Sequence, residues 1–128
     1  MIFKKSWLNI SDGSNVKWVQ TFHLYCGFYR KKTQSGFFIK SSVRLIEPPR
    51  IEYKGFKIKY NKKGDICKNL IVRTNYYCKK KNGFFIFFKK NNSILIKKKY
   101  EIKSKYLYGP IFINIKRKKL LNLYKIIF

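Results

Sequence analysis

The chain has 128 residues, enough for one domain with a single modest hydrophobic core but not for two cores. Its 31 Lys and Arg residues far outnumber its 5 Asp and Glu residues, giving a formal net charge of +26. A solvated basic surface does not explain so large an excess, so we expect a polyanionic partner, with nucleic acid favoured over an anionic membrane.

The first half of the chain alternates short apolar runs with turn residues. The runs IFKKSWLNI, VKWVQTFHLYCGF and FFIKSSVRLI are separated by DGSN and KKTQSG. β-branched and aromatic residues inside the runs, with Gly, Asn, Asp and Ser between them, predict an all-β domain. In the second run, strand alternation assigns alternate residues to opposite faces. One face carries Trp18, Gln20, Phe22 and Leu24, and the other carries Lys17, Val19, Thr21 and His23.

The middle of the chain contains two predicted hairpins. Pro48 and Pro49 interrupt the third run, and residues 47–62 predict a projecting hairpin or loop that turns at Lys54–Gly55. After a turn at Lys63–Asp65, ICKNLIVRT is the next strand. NYYCKKKNGFFIFF then predicts a second hairpin, because Asn82–Gly83 is the strongest short hairpin signal in the chain.

The C-terminal part follows the strand ILIKKKY and begins near Gly109–Pro110. Ile111–Phe128 has some helical character, and short helices are predicted there. No run approaches the ~18 apolar residues of a membrane-spanning helix. Since Ile111–Phe128 is the one candidate for an amphipathic helix, a cationic membrane-surface protein is a weak alternative.

Residues suited to catalysis or metal binding are scarce. With His23 as the single histidine and few carboxylates, no nucleophile–base–carboxylate set can be assembled, so we expect no enzyme, no metal and no cofactor. His23 is expected to pack or to lie in a strand. Cys26, Cys67 and Cys78 contain no C-x-x-C pair and are expected to be buried or half-buried thiols.

Three segments carry a more specific signature. LNISDGSNVKWV, at Leu8–Val19, reads as a strand, a turn and a basic strand. Lys62–Leu95 contains KKGD, the triplet LIV followed by RT, an Asn-Gly turn, an aromatic residue, an Asn and an aliphatic pair. LYGPI occupies Leu107–Ile111. In this order and at this spacing, the segments resemble the family of universal ribosomal protein 14 of the large subunit. Asn69, where the family usually has a small residue, and Tyr106, where it usually has arginine, depart from the pattern.

This resemblance covers essentially the whole chain and implies a fold and a role. The implied fold is mainly β, with a small closed five-stranded OB-like barrel, a projecting hairpin at about 47–62 and short C-terminal helices at about 111–128, in a single domain. Members of the family bind large-subunit rRNA on the face that meets the small subunit and contribute to intersubunit bridges. The expected partners are therefore large-subunit rRNA, neighbouring large-subunit proteins and small-subunit rRNA across the interface, without membrane insertion.

The composition also bears on the compartment. Lys, Asn, Ile, Phe and Tyr, whose codons are built mainly from A and T, dominate the chain, and Ala is absent. The N-terminal MIFKKSWLNISDG is neither a signal peptide nor an Arg/Ser-rich presequence. Together with the departures from the family pattern, these features favour a mitochondrially encoded ribosomal protein. A plastid ribosomal protein and an OB-like binder of single-stranded nucleic acid that acts outside the ribosome remain alternatives.

The expected rRNA contacts are cations that neutralise phosphates. Arg44 and Arg73 rank first, because arginine is scarce here and its planar guanidinium matches phosphate geometry. The full expected set is Lys17, Arg30, Lys31, Lys32, Arg44, Lys62, Lys63, Arg73, Lys79, Lys80, Lys81, Lys89, Lys90, Lys105, Lys116, Arg117, Lys118 and Lys119.

The aromatic residues divide into two expected groups. Trp7, Trp18 and the run Phe84–Phe88 are expected to pack in the core and along strands, whereas Tyr76, Tyr77 and Phe84 are better candidates for stacking on bases. Alternation along FFIFF places residues 84, 86 and 88 on one side and residues 85 and 87 on the other. Since both sides are apolar, the outer side is expected to be covered by RNA, a neighbouring protein or lysine stems.

Overall fold

The structure is a computed structural model, and it describes residues 1–48, 61–96, 104–112, 115, 121–122 and 124–127. The regular elements in this part of the chain are all strands. They are β1 (Ile2–Phe3), β2 (Trp7–Ile10), β3 (Val16–His23), β4 (Lys32–Thr33), β5 (Phe38–Ile46), β6 (Ile66–Arg73), β7 (Cys78–Lys79), β8 (Phe85–Ile86), β9 (Asn92–Ile96), β10 (Tyr106–Tyr108) and β11 (Lys125–Ile127).

Five of these strands close into a barrel, in the order β2, β3, β5, β6 and β9. The first four neighbouring pairs are antiparallel. β2 and β9 complete the ring in parallel, with Asn9 opposite Asn92 and Ile10 opposite Ser93. Closure pairs both edges of what would otherwise be an open sheet. The predicted small five-stranded barrel is therefore confirmed.

An inner cluster of apolar side chains fills the barrel. It is built by alternation, so that on β6 Cys67 and Ile71 point inward while Leu70 and Val72 point outward. The members of the inner cluster are Ile2, Leu8, Val16, Val19, Leu24, Ile39, Val43, Cys67, Ile71 and Leu95. A buried aliphatic side chain of this size contributes about 1.5–3 kcal/mol.

An outer cluster covers the opposite face of β6 and β9. The C-terminal part of the chain supplies the cover, and the members are Leu70, Val72, Ile94, Ile96, Leu107, Phe112, Ile115, Leu121 and Tyr124. The expectation of a single core was therefore wrong. Two clusters share one sheet as a common wall, which is how a chain of this length maintains both.

The predicted alternation along β3 is only partly correct. Val19 and Thr21 lie on one face, as predicted, and are buried, whereas Trp18 on the other face is exposed although it was expected to pack. A register shift between Val16 and Trp18 places Lys17 on the exposed side as well. Leu24 was predicted on the same face as Trp18, yet it is buried, because β3 ends at His23 and alternation ends with it. His23 lies in a strand, as predicted.

The end of the chain is strand rather than helix. β11 runs parallel to β10, with Leu107 opposite Ile126. The predicted short helices are not seen in the described part of 111–128, although residues 113–114, 116–120, 123 and 128 lie outside it. The error has a physical reason, because β-branched isoleucines near the C-terminus favour a strand where the edge of β10 is available for pairing.

The insertion at 47–62 lies mostly outside the described residues. Its two described ends both contact Asn15 in the turn between β2 and β3. The Glu47 N–H donates to the Asn15 carbonyl at 2.7 Å, and the Asn15 side-chain amide donates to the Asn61 carbonyl at 3.0 Å. One residue, Asn15, thus binds the start of the insertion through its backbone and the end through its side chain, while the predicted hairpin itself stays a prediction.

The second hairpin is present as β7 and β8, with Cys78 opposite Ile86 and Lys79 opposite Phe85. Its turn is longer than a two-residue Asn-Gly turn. The Gly83 N–H donates to the Lys80 carbonyl at 3.1 Å, and the Lys80 N–H donates to the Phe84 carbonyl at 2.7 Å. Gly83 has a φ of 86°, so the glycine is needed at the third position of a three-residue loop.

Candidate nucleic-acid interface

The described carboxylates are engaged within the protein. Asp12 is buried and accepts from the backbone N–H of Leu95 at 2.9 Å. Glu47 pairs with Lys17 at 2.6 Å, and Asp65 accepts from the Lys62 backbone N–H at 2.8 Å. Because these acids have internal partners, they leave most of the basic surface to be neutralised by another molecule.

The lysines of the β7–β8 hairpin form the densest group of predicted contacts in the described chain. Lys79 and Lys81 are exposed and Lys80 is half-buried. Lys89 and Lys90, which follow the hairpin, are exposed as well. This arrangement brings five of the predicted cations onto one hairpin and the segment that follows it.

A second group lies at the end of the loop between β3 and β4 and at the first residue of β4. Lys31 and Lys32 are exposed. Arg30 is held by the protein, because its Nε donates to the Lys32 carbonyl at 3.1 Å and its guanidinium lies 4.7 Å from the centre of the Phe37 ring. Its fixed position makes Arg30 a preorganised cation at this edge of the molecule.

Arg73 has a structural role that the sequence does not reveal. Its Nη2 donates to the Tyr108 carbonyl at 2.9 Å, and burial lowers the pKa of its guanidinium. The guanidinium fills the space beside Gly109, where a side chain would collide with Nη1. Gly109 also has a φ of 83°, so two separate constraints select glycine at this position. Arg73 therefore ties β6 to the end of β10.

The remaining predicted cations are distributed around the fold. Arg44 is exposed on β5, and Lys105 is exposed just before β10. Lys62 and Lys63 are exposed at the turn into β6. The four cations from Lys116 to Lys119 lie outside the described residues.

Several aromatic residues lie elsewhere than predicted. Trp7 and Trp18 were expected to pack in the core, but they are 51% and 37% exposed and form an edge-to-face pair 6.3 Å apart on the barrel surface. Their exposure follows from alternation, since neighbouring Leu8 and Val19 take the inward positions. Tyr76 and Tyr77 are exposed, which is compatible with their predicted stacking role.

The run Phe84–Phe88 is mostly exposed rather than packed in the core. Ile86 and Phe88 pack against the outer cluster, and the Phe88 ring meets Phe112 edge to face at 4.7 Å. Phe85 and Phe87 project to the other side, as predicted, where both contact the Tyr77 ring. Phe84, predicted on the same side as Ile86 and Phe88, is 71% exposed next to the hairpin loop, which is compatible with its other predicted role in stacking on bases.

The sequence analysis missed several residues of this surface. Lys4 lies 5.3 Å from the centre of the Phe28 ring, and Lys40 and Lys68 both lie near Tyr25. The signal that was available is CGFY at 26–29, where a glycine beside two aromatics interrupts the apolar run. The expectation for cysteine holds for Cys67, which is buried, and for Cys78, which is half-buried, but was wrong for exposed Cys26. Cys26 lies in the loop between β3 and β4.

The three segments of the sequence signature meet in space. Asp12, from the first segment, bonds Leu95 at the end of the second and forms a β-bridge with Leu107 of the third. Arg73 and Gly109 join the second and third segments in the same way. Residues far apart in the sequence thus form one structural unit.

Comparison with known proteins agrees with this arrangement. The family model described as ribosomal protein L14p/L23e matches residues 1–127. The chain belongs to this family. A curated relative, the large ribosomal subunit protein uL14m of Tetrahymena pyriformis, is 33% identical over 122 residues, which is 95% of each protein.

Membership of the L14p/L23e family confirms several predictions. The chain is a structural protein of the large ribosomal subunit, in a family that is structural rather than catalytic. Its relationship to a mitochondrial large-subunit protein confirms the predicted mitochondrial location. In the ranges that the structure describes, no helix has the length and apolar character needed to cross a membrane.

Proposed function

We propose that the chain binds large-subunit rRNA mainly through lysine and arginine contacts with phosphates, and that it lies at the intersubunit face. There it contacts small-subunit rRNA and neighbouring large-subunit proteins, and so supports translation. The observation that carries the proposal is the net charge of +26, combined with described carboxylates that already have partners inside the protein. Such a surface needs a polyanion to neutralise it.

Many of the expected contacts fall into two groups of described residues, one at the β7–β8 hairpin and one at the loop before β4, both outside the barrel strands. The first is the hairpin group, which consists of Lys79, Lys80, Lys81, Lys89 and Lys90. The second is the loop group, which consists of Arg30, Lys31 and Lys32. Two separate basic excursions allow one barrel to touch two RNA elements, as a bridge between subunits requires.

Arg44, Lys62, Lys63 and Lys105 complete the proposed interface among the described cations. Lys17 makes a weaker contribution, because its side chain already pairs with Glu47. Arg73 contributes mainly by fixing β10, since its guanidinium is directed at the Tyr108 carbonyl. The two arginines that ranked first thus differ, with Arg44 available on the surface and Arg73 engaged inside.

Sedimentation of mitochondrial ribosomes through a sucrose gradient, followed by mass spectrometry, tests the proposal. The protein is expected in the large-subunit and monosome peaks and absent from the top of the gradient. Its absence from an otherwise intact large subunit would overturn the proposal. Recovery only as a nuclease-sensitive complex outside the ribosome would favour the single-strand binder instead.

The hairpin group has its own test. Replacing Lys79, Lys80 and Lys81 together by Gln is expected to weaken rRNA binding and to lower the slope of log affinity against log salt by about 2–3. Replacement by Arg should retain the slope, because the charge remains. An unchanged slope in the Gln variant would remove these lysines from the interface.

Ultraviolet cross-linking tests the position at the intersubunit face. Cross-links to large-subunit rRNA are expected in both isolated large subunits and monosomes, whereas cross-links to small-subunit rRNA are expected in monosomes alone. If monosomes gave no small-subunit cross-link from any part of the chain, the proposed bridge would be wrong while rRNA binding would stand.

A further inference from the structure

A shallow cavity of about 390 Å³ opens beside the N-terminal strand β1. Three aromatic and three cationic residues line it, and none of the lining residues is acidic. They are Phe3, Lys4, Phe28, Tyr29, Arg30 and Lys31. Its size falls at the small end of the range for small-molecule sites, about 300–1,000 Å³. The lining combines flat apolar surfaces with positive charge.

The loop that forms one wall has an uncommon backbone. Tyr25 and Cys26 have φ angles of 55° and 57°, and Gly27 follows with 112°. Two consecutive non-glycine residues in the left-handed region are strained and persist only where their surroundings hold them. Here the Tyr25 N–H donates to the His23 Nδ1 at 3.2 Å, and the Lys40 and Lys68 Nζ atoms lie 5.7 Å and 5.3 Å from the centre of the Tyr25 ring.

This backbone path presents two aromatic side chains to solvent. Phe28 and Tyr29 are 83% and 90% exposed, and their rings meet edge to face at 5.7 Å. The strained backbone costs free energy, and two rings left in water offset little of that cost through burial. The strain and the exposure together point to a ligand that uses these rings.

The cationic side of the cavity is held in place. Pairing of β1 with β4 sets Phe3 opposite Lys32 and so brings the N-terminal strand to the loop. The Lys4 Nζ donates to the Phe28 carbonyl at 3.4 Å, and the Arg30 Nη2 donates to the Thr33 hydroxyl at 3.2 Å. Two of the three cations are therefore positioned before any ligand arrives.

We propose that this cavity binds one unpaired nucleotide of an RNA strand. Because the Phe28 and Tyr29 rings lie at 84° to each other, the base stacks on the face of one ring and meets the other at its edge, and the adjoining phosphate lies near Lys4 and Lys31. Aromatic rings accept the face of any base, and unpaired RNA can turn a base outward whereas a duplex cannot. The positive lining favours an anionic strand over a protein segment. The inference rests on the proposed function, since it assigns one contact within rRNA binding.

Fluorescence anisotropy with the full chain tests the proposal. The probes are a labelled 12-nucleotide single-stranded RNA without self-complementarity and a labelled 12-base-pair RNA duplex. Replacing Phe28 and Tyr29 together by Ala is expected to lower affinity for the single strand about tenfold or more. Affinity for the duplex should change less than about twofold, because the cations remain.

Three matched variants make the test specific. Phe22→Ala removes another exposed phenylalanine, on β3 and outside the cavity, and should leave both affinities unchanged. The pair Phe28→Tyr and Tyr29→Phe keeps both rings and should restore single-strand binding. Lys31→Gln should weaken both probes alike and lower the salt slope by about one.

The outcomes separate this inference from the proposed function. If the unaltered chain binds neither RNA, the proposed function fails with it. If it binds both but the double Ala variant loses nothing, or loses both equally, the cavity is not a nucleotide site and general rRNA binding stands. Competition by free uridine monophosphate at the affinity of the single strand would instead identify a mononucleotide site unrelated to an RNA strand, and would overturn the proposal.

Discussion

Strand β6 and the β7–β8 hairpin are both rich in large apolar residues, yet the apolar residues of β6 are buried while most of those of the hairpin are exposed. Leu70, Ile71 and Val72 of β6 are 0% exposed, whereas Phe85 and Phe87 on the hairpin side are 61% and 49% exposed. Both faces of β6 are covered, one by the barrel interior and the other by the C-terminal part of the chain. Apolar composition alone thus does not determine burial; the cover supplied by distant residues does.

The largest effect is expected from the outer face of β6. Leu70→Ala should lower the free energy of unfolding by about 2–5 kcal/mol, because it removes a fully buried side chain and leaves a cavity between sheet and cover. Urea unfolding of the isolated chain measures it. A loss under about 1 kcal/mol would mean that the C-terminal part of the chain does not bury the outer face of β6. The outer face of β6 would then be as exposed as the hairpin.

The next effect concerns the residues that hold the cover in place. Gly109→Ala should cost about 1–3 kcal/mol, since its positive φ disfavours Ala and the added Cβ collides with Arg73. In an Arg73→Ala background, the same substitution should cost less, because the collision partner is gone. Equal costs in the two backgrounds, measured by urea unfolding, would show that Arg73 does not crowd Gly109.

A third effect is expected on the inner face of β6. Asn69 is fully buried, and in either orientation its side-chain amide bonds the hydroxyls of Ser41 and Ser93. Asn69→Ala should cost about 1–3 kcal/mol, because both buried hydroxyls lose a partner. Adding Ser41→Ala and Ser93→Ala should recover part of the loss. Thermal unfolding compares Asn69→Ala, the pair Ser41→Ala and Ser93→Ala, and the triple variant. If the loss in the triple variant equals the sum of the other two losses, the three residues do not share a network.

The smallest effect on stability belongs to the hairpin. Phe85→Ala should change the free energy of unfolding by less than about 0.5 kcal/mol, since the ring is exposed and contacts chiefly Tyr77. The same substitution should weaken rRNA binding if RNA covers this side. A large loss of stability with unchanged binding would contradict this prediction, because the Phe85 ring would then stabilise the fold as the residues of β6 do.

The parts of the fold that depend on neighbouring residues were predictable from the sequence. Asn82–Gly83 marks the hairpin because a glycine with positive φ is a local requirement. The closed barrel depends on distant residues, and it was predictable only through the resemblance of three spaced segments to a known family, which the structure brings together at Asp12 and Gly109. In the candidate interface, the exposed lysines of the hairpin were anticipated from their charge.

What the sequence did not reveal depends on contacts between distant residues. Arg73 looks like a surface cation until its partner, 35 positions away, is known. Trp7 and Trp18 look like core residues, because composition does not indicate which face of a strand lies inward. Lys4 and Phe28 are 24 positions apart, so the cavity between them has no local signal beyond the glycine before Phe28.

The parallel pairing of β2 and β9 has a consequence for synthesis. The Asp12 carboxylate accepts a hydrogen bond from Leu95, which lies 83 positions later, and Asn9 pairs with Asn92 at the same separation. A nascent chain therefore cannot complete the ring until residue 96 has left the exit tunnel, whereas the β7–β8 hairpin, built from neighbours, can form earlier. Such high contact order slows folding. The residues of the hairpin thus leave the tunnel before the barrel that carries them can close.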